Sequence, residues 1–356
     1  MTPTRTRLAA LAGVAALAAG TVCSGAAHAQ PVTPPVSQTV TQAVQGWVPS
    51  AAPAHAPSQA DAPDIPVEEV MTHLQELQSI ADANGGNRST GEPGYEASVS
   101  YVQGQLDAAG FETQVQEFET RYGTSYNLIA DWAGGDTAQT VMMGAHLDSV
   151  DAGPGINDNG SGTAAILEAA LTFAEAQAQG AAAPANHVRF GFWGAEELGL
   201  LGSTHYVDSL TDAQVGELAA YFNFDMVASP NPGWFVYDDD PNGTEMRDSL
   251  TALYDAQGVD SDYIDVDGRS DHAAFMQRDI PTAGTFSGAE EYMSEEQAQK
   301  WGGDAGEPFD ACYHSACDDI DNLDTAALDA NTDVIAQTLW AWADHDFGGQ
   351  EARRVG

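Results

Sequence analysis

The chain has 356 residues, 43% of them hydrophobic, which is enough to bury a sizeable core in one large domain or two small ones. Its formal net charge is −42, and the first 61 residues contribute only two arginines and one aspartate to the total. This excess of negative charge argues against nucleic acid or an anionic membrane as a partner. No apolar run of about 18 residues lies beyond the N-terminal region, which argues against a membrane-spanning protein.

The amino terminus has the pattern of a secretory signal peptide, predicted over 1–29. Arg5 and Arg7 form a basic start, and an alanine-rich apolar stretch follows over 8–20. The tripeptide AHA at 27–29 resembles a signal-peptidase site. A lipoprotein anchor at Cys23 is the alternative, but the residues just before it fit such a motif poorly. We therefore expect a secreted, extracellular protein.

Composition divides the rest of the chain into a linker, a domain and a tail. Residues 30–61 are rich in Pro, Ala, Gln and Ser, which predicts a pro-segment or flexible linker. The folded domain is expected over 62–347, and a disordered tail over 348–356.

Within the domain, segments with helical and with strand-like spacing of apolar residues alternate. Helices are predicted over 67–83, 94–109, 161–178 and 326–343, and strands over 113–118, 126–132, 140–145, 188–193 and 220–224. This alternation predicts an α/β fold, a single three-layer α/β/α domain in which helices flank a central mixed, mostly parallel β-sheet.

Five motifs carry side chains of metal-binding type. They are GAHLDS (144–149), GINDNGSG (155–162), GFWGAEELG (191–199), YFNFDMVASP (221–230) and CYHSACD (312–318). The candidate ligands in them are His146, Asp158, Glu197, Asp225 and His314. Imidazoles and carboxylates together suit Zn²⁺, and two ions held about 3.5–4 Å apart need a shared carboxylate.

The positions of these residues support the same interpretation. His146, Glu197 and Asp225 follow predicted buried strands, and active sites of open α/β sheets lie outside the carboxyl ends of the strands. Alone, a histidine at a strand end or an aspartate in a loop is more often structural. The joint pattern predicts a two-metal hydrolase.

Two further carboxylates are expected to assist the metal ions. Glu196 is the candidate general base, which would take a proton from the water shared by the metal ions and deliver it to the leaving amine. The alternative is an acidic first turn of a helix beginning near Leu198. Asp148 lies two residues after His146 on an extended chain, so it points to the same side. It is suited to accept the second imidazole N–H, although a simple cap is the alternative.

Two cysteines remain once the predicted signal peptide is removed, Cys312 and Cys317. In an exported protein, four intervening residues predict one small disulfide loop. The alternative is that both thiolates bind metal. We disfavour it because, beside His314, they would form a closed structural zinc site and not an open catalytic one.

From about residue 62 to 346, the chain resembles the secreted double-zinc aminopeptidases, and closely resembles the extracellular leucine-type enzymes of Streptomyces. The motifs that carry the resemblance, in order, are GAHLDS, GINDNGSG, WGAEELGL, NFDM, DGRSDH, QKWGG and CYHS. The resemblance implies two Zn²⁺ ions per chain, bridged by Asp158. His146 and Asp225 would complete one ion, and Glu197 and His314 the other.

The same resemblance implies roles around the metal ions. Tyr313 would steady the developing oxyanion through its hydroxyl, although a buried tyrosine beside a disulfide is also ordinary core packing. Arg269 would lie at the substrate cleft and help to position the free amino terminus, with a surface ion pair as the alternative. Met226 and Phe286 would line an apolar pocket for the first side chain of the substrate. His272 is expected to be structural.

Asp329 and Asp333 lie four residues apart on the last predicted helix, where like charges repel. A solvated helix face is one explanation. The other is a Ca²⁺ site completed by Asp64 and a backbone carbonyl near Ile65, because calcium takes oxygen ligands. The resemblance to Streptomyces-type enzymes favours calcium.

These features predict a secreted, zinc-dependent exopeptidase that removes the N-terminal residue, preferably a large apolar one such as Leu, from peptides and proteins. A monomer is the default. A double-zinc carboxypeptidase or deacylase is the alternative, but such enzymes usually insert a lid domain, and only 89 positions separate Asp225 from His314. A glutaminyl cyclase-like transferase is disfavoured by the complete ligand set and Glu196. An inactive peptide-binding module on the same scaffold is the alternative from another class.

Overall fold

The computed structural model describes residues 62–348. The predicted signal peptide, Cys23, the predicted pro-segment and residues 349–356 of the predicted tail lie outside this range. Within it, every helix is too short or too polar to cross a membrane.

A mixed sheet of eight strands lies at the centre of the described residues. The strands are β1 (Glu112–Thr120), β2 (Gly123–Asp131), β3 (Asp136–His146), β4 (Asn186–Trp193), β5 (Leu218–Phe224), β6 (Phe235–Tyr237), β7 (Asp262–Ile264) and β8 (Thr282–Phe286). Their order is β1-β2-β4-β3-β5-β8-β6-β7. Strands β4, β3, β5 and β8 run parallel in the middle, whereas β1 and β2 at one edge and β6 beside β8 pair antiparallel. The predicted mixed sheet is confirmed.

Helices pack on both faces of the sheet. They are α1 (Val67–Ala83), α2 (Pro93–Ala109), α3 (Gly162–Ala178), α4 (Leu201–Ser209), α5 (Asp212–Glu217), α6 (Thr244–Gln257), α7 (His272–Met276), α8 (Glu295–Trp301) and α9 (Thr325–Ala343). The larger layer contains α1, α2, α3, α6 and α9, and the smaller contains α4, α5 and α7. The predicted three-layer α/β/α architecture is therefore confirmed.

Two hydrophobic cores form because neighbouring residues of a strand point to opposite faces. Met143 and Phe222 pack in the larger core, whereas Met142 and Tyr221, one position earlier, pack in the smaller one. All four are fully buried, and burying each side chain of this size contributes roughly 1.5–3 kcal/mol. Strands β3 and β5 are apolar without alternation because both of their faces are covered.

The four predicted helices and five predicted strands are all present, with small differences in their ends. The strand predicted over 140–145, for instance, extends over Asp136–His146. Helices α4 to α8 and strands β6 to β8 were not predicted from the sequence. Strands β6 and β7 have only three residues each, and β8 (TAGTF) consists largely of small residues, so none of them shows a usable period.

Candidate metal centre

Three of the candidate ligands are placed by adjacent parallel strands. His146 is the last residue of β3, Asp225 directly follows β5, and Glu197 lies four residues beyond β4. Because β4, β3 and β5 are neighbours, their carboxyl ends meet at one edge of the sheet. These three side chains therefore converge although up to 79 positions separate them.

The other two candidate ligands come from loops. Asp158 lies in an irregular turn, Ile156–Ser161, in which the Gly160 N–H donates to the Gly155 carbonyl. His314 lies inside the loop closed by a Cys312–Cys317 disulfide, which confirms the predicted bond.

The five side chains form two groups that share Asp158. The Nε2 atom of His146 lies 3.2 Å from Oδ1 of Asp158 and 3.3 Å from Oδ1 of Asp225. The Nε2 atom of His314 lies 3.1 Å from Oδ2 of Asp158 and 3.0 Å from Oε2 of Glu197. The two oxygens of one carboxylate thus face two different groups, which is the arrangement expected of a bridging ligand.

Several polar atoms of these groups lack hydrogen-bond partners and are suited to bind metal ions. Nε2 of His146, Oδ2 of Asp158, Oε1 of Glu197 and Oδ1 of Asp225 are buried and have no aligned hydrogen-bond partner. Leaving a buried polar atom without a partner is costly. In each of the two groups, three ligand atoms lie within 4.8 Å of one another, and two carboxylates with one imidazole suit Zn²⁺.

The pKa values at the centre show how strongly these groups interact. Burial lowers the pKa of His314, but its contacts with Asp158 and Glu197 outweigh this and raise it to about 10. The same kind of contact holds the pKa of Asp158 below its usual range, despite burial. Burial and the Asp158 charge raise the pKa of Glu197 to about 7. A cation bound here would replace these protons as the compensating positive charge.

Glu196 and Asp148 adjoin the ligands. Helix α4 begins at Leu201, so Glu196 lies in the preceding turn and not in a helix. Its backbone N–H donates to Oδ1 of Asp148 (3.2 Å). Burial raises the pKa of Glu196 well above its usual range, and the nearby acids Asp271 and Asp225 raise it further.

The expected hydrogen bond from His146 to the Asp148 carboxylate is not formed. Nδ1 of His146 lies 3.1 Å from the Asp148 backbone carbonyl and 3.7 Å from its carboxylate. A carbonyl can only accept, so Nδ1 carries the proton and Nε2 is left free to bind metal. The carboxylate is turned away because it accepts from the Glu196 backbone and, at 3.4 Å, from the Thr90 hydroxyl.

A cavity of about 670 Å³ opens above the two groups. The candidate ligands and Glu196 lie in its walls, together with Met226, Phe286, Tyr313 and Arg269. The Tyr313 ring stacks on the His314 imidazole at a centroid distance of 3.8 Å. The structure thus gathers all the residues to which the sequence assigned catalytic, zinc-binding or substrate-binding roles, except Asp148, around or within this cavity.

Arg269 occupies the mouth of the cavity and is half exposed. Its guanidinium donates to Glu290 (3.1 Å) and Glu291 (3.2 Å), and it lies 3.5 Å from the Tyr313 hydroxyl. Arg269 thus forms an ion pair in the cavity wall, and its role in positioning the free amino terminus stays a prediction. His272 is buried, with Nε2 2.8 Å from an Asp239 oxygen.

The candidate calcium residues meet between α1 and α9. The Ile65 backbone N–H, and not a carbonyl, contacts Oδ1 of Asp333 at 3.2 Å. Burial and the charges of Asp64 and Asp329 raise the pKa of Asp333 to about 6. Among residues 62–348, three histidine or acidic ligand atoms lie within 4.8 Å of one another only in the two groups that share Asp158. The carboxylate oxygens of Asp64, Asp329 and Asp333 therefore do not all lie this close together.

Arg88 supports the centre and was missed in the sequence analysis. Its fully buried guanidinium donates to the carbonyls of Leu147, Pro154 (2.8 Å) and Gly155 (2.6 Å). Burial lowers its pKa to about 10. It holds the segment just before Asp158, but an arginine in the polar sequence GNRSTG carries no sign of burial.

Comparison with known proteins assigns the family. The model of peptidase family M28 matches residues 127–339, a range that contains the five candidate ligands, Glu196 and Tyr313. The chain belongs to peptidase family M28.

Among its relatives, leupeptin-inactivating enzyme 1 of Streptomyces exfoliatus is 52% identical over 279 residues, covering 78% of this chain and 62% of the relative. The aminopeptidase of Pseudomonas aeruginosa is 46% identical over 226 residues, covering 61% of this chain and 41% of the relative. The chain therefore spans only about two fifths to three fifths of the length of these relatives.

Solved structures show that the fold is common to more than one kind of enzyme. The zinc aminopeptidase BSAP from Bacillus subtilis aligns with a TM-score of 0.66 at 18% identity, covering 78% of this chain and 96% of its own. The glutaminyl cyclase of Porphyromonas gingivalis aligns with a TM-score of 0.61 at 18% identity, covering 78% and 99%. At this identity the likeness concerns the fold, so the reaction must be argued from the site.

Proposed function

We propose that this protein is a secreted, monomeric, zinc-dependent aminopeptidase that hydrolyses the N-terminal residue of peptides. The observation that carries the proposal is the pair of ligand groups that share the two oxygens of Asp158 at the wall of a large cavity. Membership of family M28 and the aminopeptidase of Pseudomonas aeruginosa among the relatives support the same activity.

Two Zn²⁺ ions, one held by His146 and Asp225, the other by Glu197 and His314, and both by Asp158, would supply a Lewis acid and a water of lowered pKa. Glu196 lines the same cavity, where its carboxylate would accept the proton of the attacking water. Its raised pKa suits a base that must afterwards deliver the proton to the leaving amine. Burial also raises the pKa of Tyr313, which keeps its hydroxyl protonated as a donor to the developing oxyanion.

The cavity walls support a free amino terminus followed by an apolar side chain. The carboxylates of Glu196 and Asp225 both face the cavity and would attract an ammonium group. Met226 and Phe286 supply apolar surface in the same cavity, which favours a large apolar first residue such as Leu.

A substrate panel tests the activity. We expect purified protein to cleave leucyl chromogenic substrates with a free amine. Treatment with a chelator should lower that rate by about 10-fold or more, because it removes the ions that would activate the attacking water. N-acylated and C-terminal chromogenic substrates serve as controls, and chelated protein should regain activity with added Zn²⁺. Cleavage of blocked substrates alone would indicate a deacylase or carboxypeptidase, and no cleavage of any would indicate a binding module.

We also propose a Ca²⁺ ion between α1 and α9, held by Asp64, Asp329 and Asp333 with a backbone oxygen near Ile65. The mutual effect of these acids on the pKa of Asp333 supports the proposal, because a cation would relieve their repulsion. We expect Ca²⁺ to raise the melting temperature of the wild type, and to have no effect on Asp329→Asn. A melting temperature that does not respond to Ca²⁺ in the wild type would rule this site out.

A further inference from the structure

The side chain of Asn157, the residue before the candidate bridging ligand, forms hydrogen bonds through both its nitrogen and its oxygen. It is fully buried. Its Nδ2 donates to Oδ2 of Asp310 (2.7 Å) and to the Ser229 hydroxyl (3.1 Å), and its Oδ1 accepts from the Ala228 backbone N–H (3.3 Å). A buried amide bound on all sides is fixed in one orientation, because any rotation leaves several groups without partners.

The partners of Asn157 belong to the loops that carry the other ligands. Ala228 and Ser229 follow Asp225 by three and four residues, and Asp310 precedes His314 by four. Asn157 itself adjoins Asp158. One carboxamide therefore connects the loops that supply three of the five candidate ligands, and these three include a member of each metal group.

Two buried acids attach the disulfide loop to the same turn from both of its ends. Asp318 accepts the backbone N–H groups of Asn157 (2.8 Å) and Asp158 (3.0 Å). Asp310 accepts the backbone N–H of Cys312 (2.7 Å) and the side chain of Asn157. The Asn322 amide donates to both acids at 3.0–3.2 Å. The loop of His314 is thus hydrogen-bonded to the turn of Asp158 independently of any metal.

We propose that Asn157 is a positioning residue that couples the two metal sites. It holds the loops of Asp225 and His314 against the turn of Asp158, so that both groups of ligands are formed together. A carboxylate of the same shape cannot replace it, because it has no donor for Asp310 or Ser229. The proposal rests on the proposed function only for the choice of Zn²⁺ as the metal.

Zinc affinity, measured without substrate by competition with a chelator of known affinity, tests the coupling. Asn157→Asp places an oxygen where Nδ2 now lies 2.7 Å from Asp310. We expect both ions to bind about 10- to 100-fold more weakly, as is typical when a residue that orients metal ligands is changed. Asn157→Ser, which introduces no charge, should weaken both sites in the same direction and serves if the first variant does not fold.

Asn186 provides a matched control. It is also buried, and its Nδ2 donates to the carbonyls of Trp342 (2.9 Å) and His345 (2.8 Å), neither of which belongs to the metal centre. Asn186→Asp should lower the melting temperature but leave both zinc affinities within twofold of the wild type. A similar loss of zinc affinity in this control would show that Asn157 acts only through general stability.

A double variant provides a rescue. In Asn157→Asp/Asp310→Asn, donor and acceptor exchange places, so the hydrogen bond can form again with reversed direction. If Asn157→Asp weakens zinc binding a hundredfold, we expect the double variant to bind zinc at least tenfold more tightly than that single variant at both sites. Wild-type zinc affinity in Asn157→Asp, or weakening of only one site, would overturn the coupling. Zinc binding without peptide cleavage would contradict the proposed function and leave this inference intact.

Discussion

At the scale of single residues, the adjacent glutamates 196 and 197 face one cavity with different partners. Oε2 of Glu197 lies 3.0 Å from the His314 imidazole, so its carboxylate belongs to a ligand group. Glu196 is held through its backbone by Asp148, which leaves its carboxylate directed to the cavity without a ligand's contacts. One turn of the chain thus gives two residues of one type different contacts, which support the different roles proposed for them.

Glu196→Gln separates these roles experimentally. The amide keeps the shape of the side chain but cannot accept a proton, so we expect kcat to fall by about 10²- to 10⁴-fold with zinc content unchanged. The matched variant Glu197→Gln should instead lose zinc. Steady-state kinetics and metal analysis of both proteins measure the difference, and an unchanged kcat in Glu196→Gln would remove the residue from the reaction.

The sequence identified the candidate ligands that the structure brings together, but not the side chains that hold them in place. Histidines and carboxylates at strand ends are conspicuous because such residues are otherwise rare in apolar runs. The partners of Asn157 lie 71 to 153 positions away, and no local pattern connects them. For the same reason, the sequence could not show that His146 bonds to the carbonyl of Asp148 and not to its carboxylate.

At the scale of elements, three of the six non-glycine residues with positive φ among residues 62–348 lie at or beside candidate ligands. Ala195, Met226 and His314 have φ values of +56°, +54° and +54°, and each is a candidate ligand or lies within two residues of one. Non-glycine residues with positive φ are uncommon and cost about 1–3 kcal/mol each. The surrounding contacts hold them, as when the Ser287 N–H donates to the Met226 carbonyl (2.8 Å). Such strain is typical of functional sites.

Arg88 tests how firmly the turn before Asp158 is held. Replacing the guanidinium with methionine leaves the Leu147 and Pro154 carbonyls without a donor, at about 1–3 kcal/mol each, while Gly155 keeps the Gly160 N–H. We therefore expect Arg88→Met to lower the free energy of unfolding by at least about 2 kcal/mol. Arg88→Lys should restore only part of it, because an ammonium lacks the planar, branched geometry. Chemical denaturation measures both variants, and full stability in Arg88→Lys would contradict this account.

Element prediction succeeded where periodicity was long. Helix α1 was predicted over its full range because Val70, Leu74 and Leu77 recur on one face through 17 residues. The elements between β4 and β5 and between β5 and α9 were not predicted. Apart from α6, with 14 residues, they are short, and the positions of the strands are decided by pairing with distant strands, such as β8 with β5. Local composition carries no record of such pairing.

At the scale of the whole molecule, buried acidic side chains should make the stability of the metal-free protein depend on pH. Burial raises the pKa of Asp271 and Asp318 to about 7, and that of Asp333 to about 6. In the unfolded chain these groups lose their protons near pH 4. Between about pH 4 and 7 the folded protein binds more protons than the unfolded one, so the free energy of unfolding falls as the pH rises. The net charge of −42 acts in the same direction.

We therefore expect chelator-treated protein to melt at a higher temperature at pH 5 than at pH 8. Asp271→Asn should reduce this dependence, since it removes one of the titrating groups. The stabilisation added by Zn²⁺ should show the opposite trend and grow with pH, because its ligands must lose protons to bind it. Thermal melts across pH 4–9, with and without Zn²⁺, measure both. If the melting temperature of the metal-free protein increased from pH 5 to pH 8, the raised pKa values of these aspartates would be contradicted.

The order of strands limits how mutation could change the metal preference of this candidate centre. Strands β4, β3 and β5 are adjacent, and main-chain hydrogen bonding sets neighbouring strands about 4.7–4.9 Å apart. The backbone positions of His146, the last residue of β3, and Asp225, directly after β5, are therefore fixed by the sheet and insensitive to side-chain substitution. The turn of Asp158, the turn of Glu197 beyond β4 and the disulfide loop of His314 can alter ligand spacing without disrupting the sheet. Directed selection for a larger or smaller ion should accordingly collect its substitutions in 156–161, 194–200 and 312–317.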